Sequence, residues 1–174
     1  MQYYGILCQH RSGHTAYQQY LSNKLNCEIY PELDINIKNI DHYFQNLPKK
    51  IIFAMMPFKE SYYYMKKYSN INWQIYYRKD VLTQCLSFIY TNKTQNFRDN
   101  QNEIVEVDEK LIDSFFNNWK IINEIIIKNE YPVHYYEDFD MSNTPTKKNQ
   151  NNYKKLIKNI DSVEHKILNI LKKN

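Results

Sequence analysis

Residues 3–21, YYGILCQHRSGHTAYQQYL, decide the fold. Their first six, YYGILC (3–8), are apolar and aromatic and read as a buried strand. Over 15–25, Tyr17, Tyr20, Leu21 and Leu25 fall at helical spacing. Between the two stands Gly13, one of only two glycines in the chain. Glycine suits backbone that must turn sharply or come close to a ligand. The flanking His10, Arg11, Ser12, His14 and Thr15 are rich in hydrogen-bond donors. A donor-rich turn leading into a helix is the layout of an anion site, because unsatisfied N–H groups and the helix dipole both attract phosphate or sulfate. Arg11 can add a charged fork, and Ser12 or Thr15 a hydroxyl. The plain alternative is a strand-to-helix turn in which Ser12 or Thr15 merely caps the helix.

Outward from this stretch, strand-like and helix-like segments alternate. CEIY (27–30), KIIFAMM (50–56), WQIYY (73–77) and VHYY (133–136) read as further strands. Helical patterns cover 60–68, 80–91 and 111–127, and 91–103 reads as a loop. Residues 142–152, SNTPTKKNQNN, form a turn-rich linker to an amphipathic helix over 153–173. Such alternation predicts a single α/β domain over 1–174, built on a mainly parallel sheet of four to five strands with helices on both faces. Ligands of such sheets bind at the carboxyl ends of the strands, where the turns at 9–14 and 77–80 both fall.

Composition narrows the classes. Seventeen tyrosines and 16 % aromatic residues allow a folded core despite the polar character of the chain. The three cysteines, Cys8, Cys27 and Cys85, are far apart and form no CxxC, so neither a disulfide framework nor a zinc ribbon is expected. No ligand set has metal spacing, and no metal is expected. Apolar runs are too short to span a membrane and the N-terminus lacks a signal-peptide layout, so a cytoplasmic setting is expected. The formal charge of +4 is uneven: residues 147–174 carry eight lysines against Asp161 and Glu164. A solvated helix face explains that tail better than a nucleic-acid or membrane partner.

A second donor-bearing turn lies in YYRKDVLTQCLS (76–87), with Arg78 at a strand end and Ser87 nine positions on, along the next helix. Together they can clamp a phosphate; alternatively Arg78 pairs with Asp80 and Ser87 is incidental. A strand, an RSGxT loop, a helix, then an Arg at a later strand end followed by Ser on its helix resembles the PAPS-dependent sulfotransferase family (PAPS is 3′-phosphoadenosine-5′-phosphosulfate). VHYYEDF (133–139) is similar to the family's late strand with its YED motif. The Arg-to-Ser spacing is closest to the bacterial trehalose branch, which the tyrosylprotein branch resembles.

The resemblance implies a P-loop-kinase-like fold and PAPS as sulfate donor. It implies that Arg11, Ser12, Gly13, His14 and Thr15 hold the 5′-phosphosulfate, and that Arg78 and Ser87 hold the 3′-phosphate. Sulfuryl transfer moves SO₃ in line to an acceptor oxygen or nitrogen, so the protein positions reactants and stabilises leaving-group charge, a task that suits Arg11. A base near the acceptor takes its proton. The cytosolic branch uses a histidine after the third strand, where this chain has Met55 in AMMPF (54–58). The trehalose and tyrosylprotein branches use a glutamate after the second strand. Glu32, twenty-one residues past Arg11, falls near that place, with Glu28 as the alternative. Burial is what would raise its pKa to the level such a base needs.

The RKGxxG segment of the cytosolic branch is absent, and lysine-rich 147–158 is the candidate to replace it. The acceptor, expected to be a carbohydrate or small metabolite, would lie among 33–47, 58–65 and 91–107, with Tyr43, Tyr62 and Tyr63 available to stack. The C-terminal helix offers a surface for a homo-oligomer. Two other classes remain: a non-catalytic nucleotide or nucleic-acid binding protein, and a nucleotide kinase on the same fold. The kinase reading is opposed by the missing GxxxxGKS/T.

Overall fold

Among the described residues, five strands, β1 (Tyr3–Cys8), β2 (Glu28–Ile29), β3 (Ile51–Met55), β4 (Asn72–Tyr77) and β5 (Val133–Tyr135), form one sheet in the order β2-β3-β1-β4-β5. Every neighbouring pair is parallel. The computed structural model describes residues 3–30, 32–33, 40–94, 103–139 and 153–173, so the expected linker at 142–152 lies outside it. The helices are α1 (His14–Leu25), α2 (Ile40–Gln45), α3 (Ser61–Lys67), α4 (Val81–Thr94), α5 (Glu109–Ile127), α6 (Tyr153–Leu156) and α7 (Ile160–Lys173). None of the described helices is long and apolar enough to cross a membrane.

The chain divides into two compact units, Met1–Lys79 with Asn118–Thr146, and Asp80–Asn117 with Lys147–Asn174. The first holds the sheet. Period-two alternation sends Leu7, Ile51, Phe53, Met55, Trp73 and Ile75 to one face, where they pack with Phe44 of α2, Met65 of α3 and Ile122 and Ile125 of α5. Ile6, Cys8, Ile52, Ala54 and Tyr76 point to the other, against Ala16, Tyr17 and Leu21 of α1. Right-handed crossovers account for this division. The connection from β1 to β2 runs one way along the sheet and the later ones run the other, so α1 has a face to itself. The connections leaving β1 and its neighbour β3 thus cross opposite faces, and the turn after β1 opens at this switch point of the sheet.

Aromatic packing fixes α1 there. Tyr17 stacks on Tyr76 with ring centroids 4.3 Å apart, meets the edge of Phe139 at 4.9 Å, and donates its hydroxyl to Gln74 Oε1 at 2.8 Å. Burial pushes the Tyr17 phenol pKa up, so the hydroxyl keeps its proton and donates. Cys8, Cys27 and Cys85 are free and buried, as expected of core thiols.

The second unit departs from the expected element bounds. The α4 helix runs to Thr94, beyond the expected end at 91. Asp80 caps it, accepting from Thr83 N–H at 3.0 Å. The expected continuous helix over 153–173 is broken at Ile157, which forms a parallel bridge with Val105. Val105 N–H bonds Leu156 O and Lys158 N–H bonds Val105 O, at 2.9 and 2.8 Å, so these backbone groups serve a strand-like pairing instead of a helix. Asn159 completes the break, its amide donating to Val107 O at 3.1 Å and its Oδ1 accepting from Val107 N–H at 3.0 Å. Replacing Asn159 by Ala removes both bonds and is expected to cost about 2 kcal/mol in urea unfolding, whereas Asn159→Asp keeps the acceptor and should cost less.

Candidate anion site

Two left-handed residues curl the backbone after β1: Arg11 at φ 61° and Gly13 at φ 85°. For arginine that conformation costs about 1–2 kcal/mol, which fits a turn whose shape serves a purpose beyond connection. Ser12 N–H closes the turn onto Gln9 O at 3.2 Å. Gly13 is the N-cap of α1, and no side chain caps the helix. The capping alternative for Ser12 and Thr15 is thereby removed. Gly13 O accepts from Ala16 and Tyr17 N–H, at 3.1 and 3.3 Å. The N–H groups of His14 and Thr15, at the first positions of the helix, have no acceptor within it.

Gly13 also admits a neighbour. A Cβ at this position would stand 2.6 Å from Cδ2 and Cε2 of Tyr136, so the tyrosine ring lies directly on the turn. The Arg78 guanidinium rests over the same ring, 4.8 Å from its centroid. Tyr136 opens the YED turn, Tyr136–Asp138, which Lys79 ties to the end of β4. Lys79 N–H donates to Glu137 Oε2 at 3.0 Å, and Lys79 Nζ pairs with Asp138 at 3.0 Å. Glu137 and Asp138 are thus engaged in holding the turn. Arg11-to-Thr15 and Arg78 are linked through one aromatic ring at the carboxyl ends of β1, β4 and β5.

Several buried polar atoms here lack a partner. Ser12 is wholly buried, and its Oγ has no hydrogen bond. Tyr76 Oη, His14 Nδ1 and Arg78 Nε are buried and unbonded as well. A buried polar group without a partner costs about 1–3 kcal/mol, and native proteins keep few of them. Burial pushes the Tyr76 phenol pKa up, helped by Tyr136, Tyr17, Glu137 and Cys8, so this hydroxyl is neutral and can donate. Four such atoms around one turn mark a place built for a polar ligand.

Glu32 lies just before Leu33, whose N–H bonds Ala54 O at 2.8 Å beside the end of β3. Its carboxylate approaches His14 Nε2 at 3.4 Å. The burial required for a general base is missing, since the Glu32 side chain is 41 % exposed. The alternative, Glu28, is exposed on β2. Around His14, burial opposes the charged ring, but Cys8 and Glu32 outweigh it and raise the pKa. For His10, burial dominates and lowers it.

Ser87 belongs to the second unit, where it is 4 % exposed and its hydroxyl donates to Tyr153 Oη at 3.0 Å. Thr15 is exposed at the start of α1. Of the residues expected to stack on an acceptor, Tyr43 packs on Tyr30, Phe44 and Phe53, Tyr62 donates to Glu130 at 2.8 Å, and Tyr63 is exposed. The expected acceptor segments at 34–39 and 95–102 lie outside the described residues. Sequence reading missed Tyr76 and Tyr136 as parts of the site. It also missed that Cys8 to Thr15 keep the spacing of GxxxxGKS/T, with cysteine for the first glycine and histidine for the lysine. No family model, curated protein or solved structure matches this chain.

Proposed function

We propose that the chain is a sulfotransferase that takes PAPS as donor, its 5′-phosphosulfate on the β1–α1 turn and its 3′-phosphate at Arg78. The observation that carries this reading is the wholly buried Ser12 hydroxyl, left without a partner in a turn that no side chain caps. The all-parallel sheet with the turn at its switch point supports a nucleotide site there. Arg78, with its buried Nε unbonded, supports a second charge clamp on the same rim. In the reaction the acceptor oxygen or nitrogen bonds sulfur as the sulfur–oxygen bond to the 5′-phosphate breaks, leaving adenosine 3′,5′-bisphosphate, and the acceptor's proton passes to solvent water. Arg11 and the N–H groups of the turn stabilise charge on that leaving phosphate. Glu32 stands near the position that the resemblance implies for the base, but its contact with His14 Nε2 and its 41 % exposure favour an orienting task. Ser87 belongs to the other compact unit and its hydroxyl is engaged with Tyr153, so Arg78 is the stronger assignment of the two.

The test is thermal unfolding with adenosine 3′,5′-bisphosphate, ADP, or ATP with Mg²⁺. A ligand at a hundred times its dissociation constant stabilises by about 2.7 kcal/mol, or roughly 5–10 °C for a chain of this size. The bisphosphate is expected to produce that shift, and Arg78→Ala to remove most of it. A shift with ATP and Mg²⁺ alone would replace this reading with a phosphotransferase, and no shift with any nucleotide would refute both.

A further inference from the structure

Where a P-loop carries lysine after its last glycine, this chain carries His14, the first residue of α1. The imidazole lies between the Cys8 thiol and the Glu32 carboxylate. Nε2 faces Glu32 Oε2 at 3.4 Å, while Nδ1 is buried with no partner. Two residues before His14 stands Ser12, wholly buried with its own hydroxyl unbonded, and α1 begins here with N–H groups that have no acceptor inside the helix. The Ser12 hydroxyl, the first N–H groups of α1 and a protonated Nδ1 can all donate hydrogen bonds, while Gln9 brings a buried side-chain carbonyl, an acceptor, to the same turn. A tetrahedral oxyanion, with several acceptor oxygens, can accept from all of these donors together.

We propose that His14, as an imidazolium, is the cationic ligand of the anion held by the β1–α1 turn, donating from Nδ1 to a phosphate or sulfate oxygen while Glu32 fixes the ring from Nε2. This rests on the anion-site reading above and goes beyond it: the charge of the site becomes proton-dependent, and Glu32 becomes a positioning residue and not a base. The helix dipole at this position opposes a cation, so the ring needs a carboxylate partner, which Glu32 supplies. The titratable groups acting on His14 are Cys8 from β1 and Glu32 beyond β2; His10 in the turn feels Glu32, His14 and Arg11, and Tyr136 from the end of β5 lies on Gly13. The pKa of His14 is raised and that of His10 lowered, so above pH 7.5 His14 is the histidine of this group that still has a charge to lose. Arginine stays charged throughout. The sign follows: anion affinity is full below the raised pKa of His14 and is lost as pH rises through it, by up to tenfold per pH unit.

Sulfate and adenosine 3′,5′-bisphosphate serve as probes between pH 7.5 and 10.5, where sulfate does not titrate and the phosphates are fully ionised. Affinities come from the dependence of the unfolding temperature on anion concentration, against chloride at equal ionic strength. The native protein is expected to bind both, more weakly as pH rises. His14→Gln should lose about 10- to 100-fold in affinity at pH 7.5 and show a flat pH profile. His14→Lys should restore binding and carry it to higher pH, and Glu32→Gln should move the loss to lower pH. A His14→Gln protein that keeps native affinity and native pH slope for the bisphosphate overturns this inference and leaves the donor reading standing. Sulfate binding with the expected slope but no response to the bisphosphate upholds the inference and overturns the donor. A native protein that responds to neither anion overturns both.

Discussion

Replacing Gly5 by Ala is expected to destabilise the protein by about 3 kcal/mol, lowering its unfolding temperature by roughly 6–12 °C. Gly5 sits in β1, in register with Phe53 of β3 and Trp73 of β4. A Cβ there would lie 2.4 Å from both Cε3 and Cζ3 of Trp73. The indole has little freedom to withdraw. Its Nε1 donates to Tyr68 O at 3.1 Å, and its rings meet Phe53 and Phe44 with centroids 5.5 and 6.0 Å apart. The glycine therefore exists to let Trp73 lie across the central strand. Urea unfolding of Gly5→Ala, Trp73→Leu and the double variant checks this. The two costs should be strongly non-additive, because the smaller side chain removes the clash. Additive costs would mean that the glycine answers to something other than the indole.

Gly13→Ala is expected to cost about 2–3 kcal/mol of stability and to remove most of the anion response. At φ 85° an L side chain is strained by about 1–2 kcal/mol. Its Cβ would also press on the Tyr136 ring at 2.6 Å. That ring can shift only by disturbing the Arg78 guanidinium above it, so one methyl group reaches both ends of the candidate site. In Gly13→Ala with Tyr136→Ala the clash is gone and the backbone strain remains, so stability should recover in part while binding does not. Full recovery of binding in the double variant would show that Tyr136 displacement, and not the shape of the turn, was responsible.

The five strands and most of the helices between them were legible because each is written locally: an unbroken apolar run in IIFAM, and an apolar side on Val81, Cys85, Leu86 and Ile89. The short α2 carries too few turns to announce itself, and it went unread. The C-terminal stripe was legible as helical, but its break at Ile157 was not. That break depends on Val105, more than fifty residues earlier, offering backbone partners at that point. Glu32 was legible as a carboxylate near the turn. Its contact with His14 and its exposure were not, since both depend on how the chain returns beside β3.

By itself the sequence determined that this is an alternating α/β chain whose first strand ends in a glycine-bearing, donor-rich turn, because hydrophobic period and turn chemistry act over a few residues. The tertiary structure decided the strand order, and with it that this turn opens where the connections from β1 and β3 take opposite faces of the sheet. It also decided that Tyr136 lies on Gly13, that Arg78 lies over Tyr136, and that Ser12, His14, Tyr76 and Arg78 share one rim with polar atoms unspent. Those facts depend on contacts between residues tens of positions apart, whose energies no local pattern records.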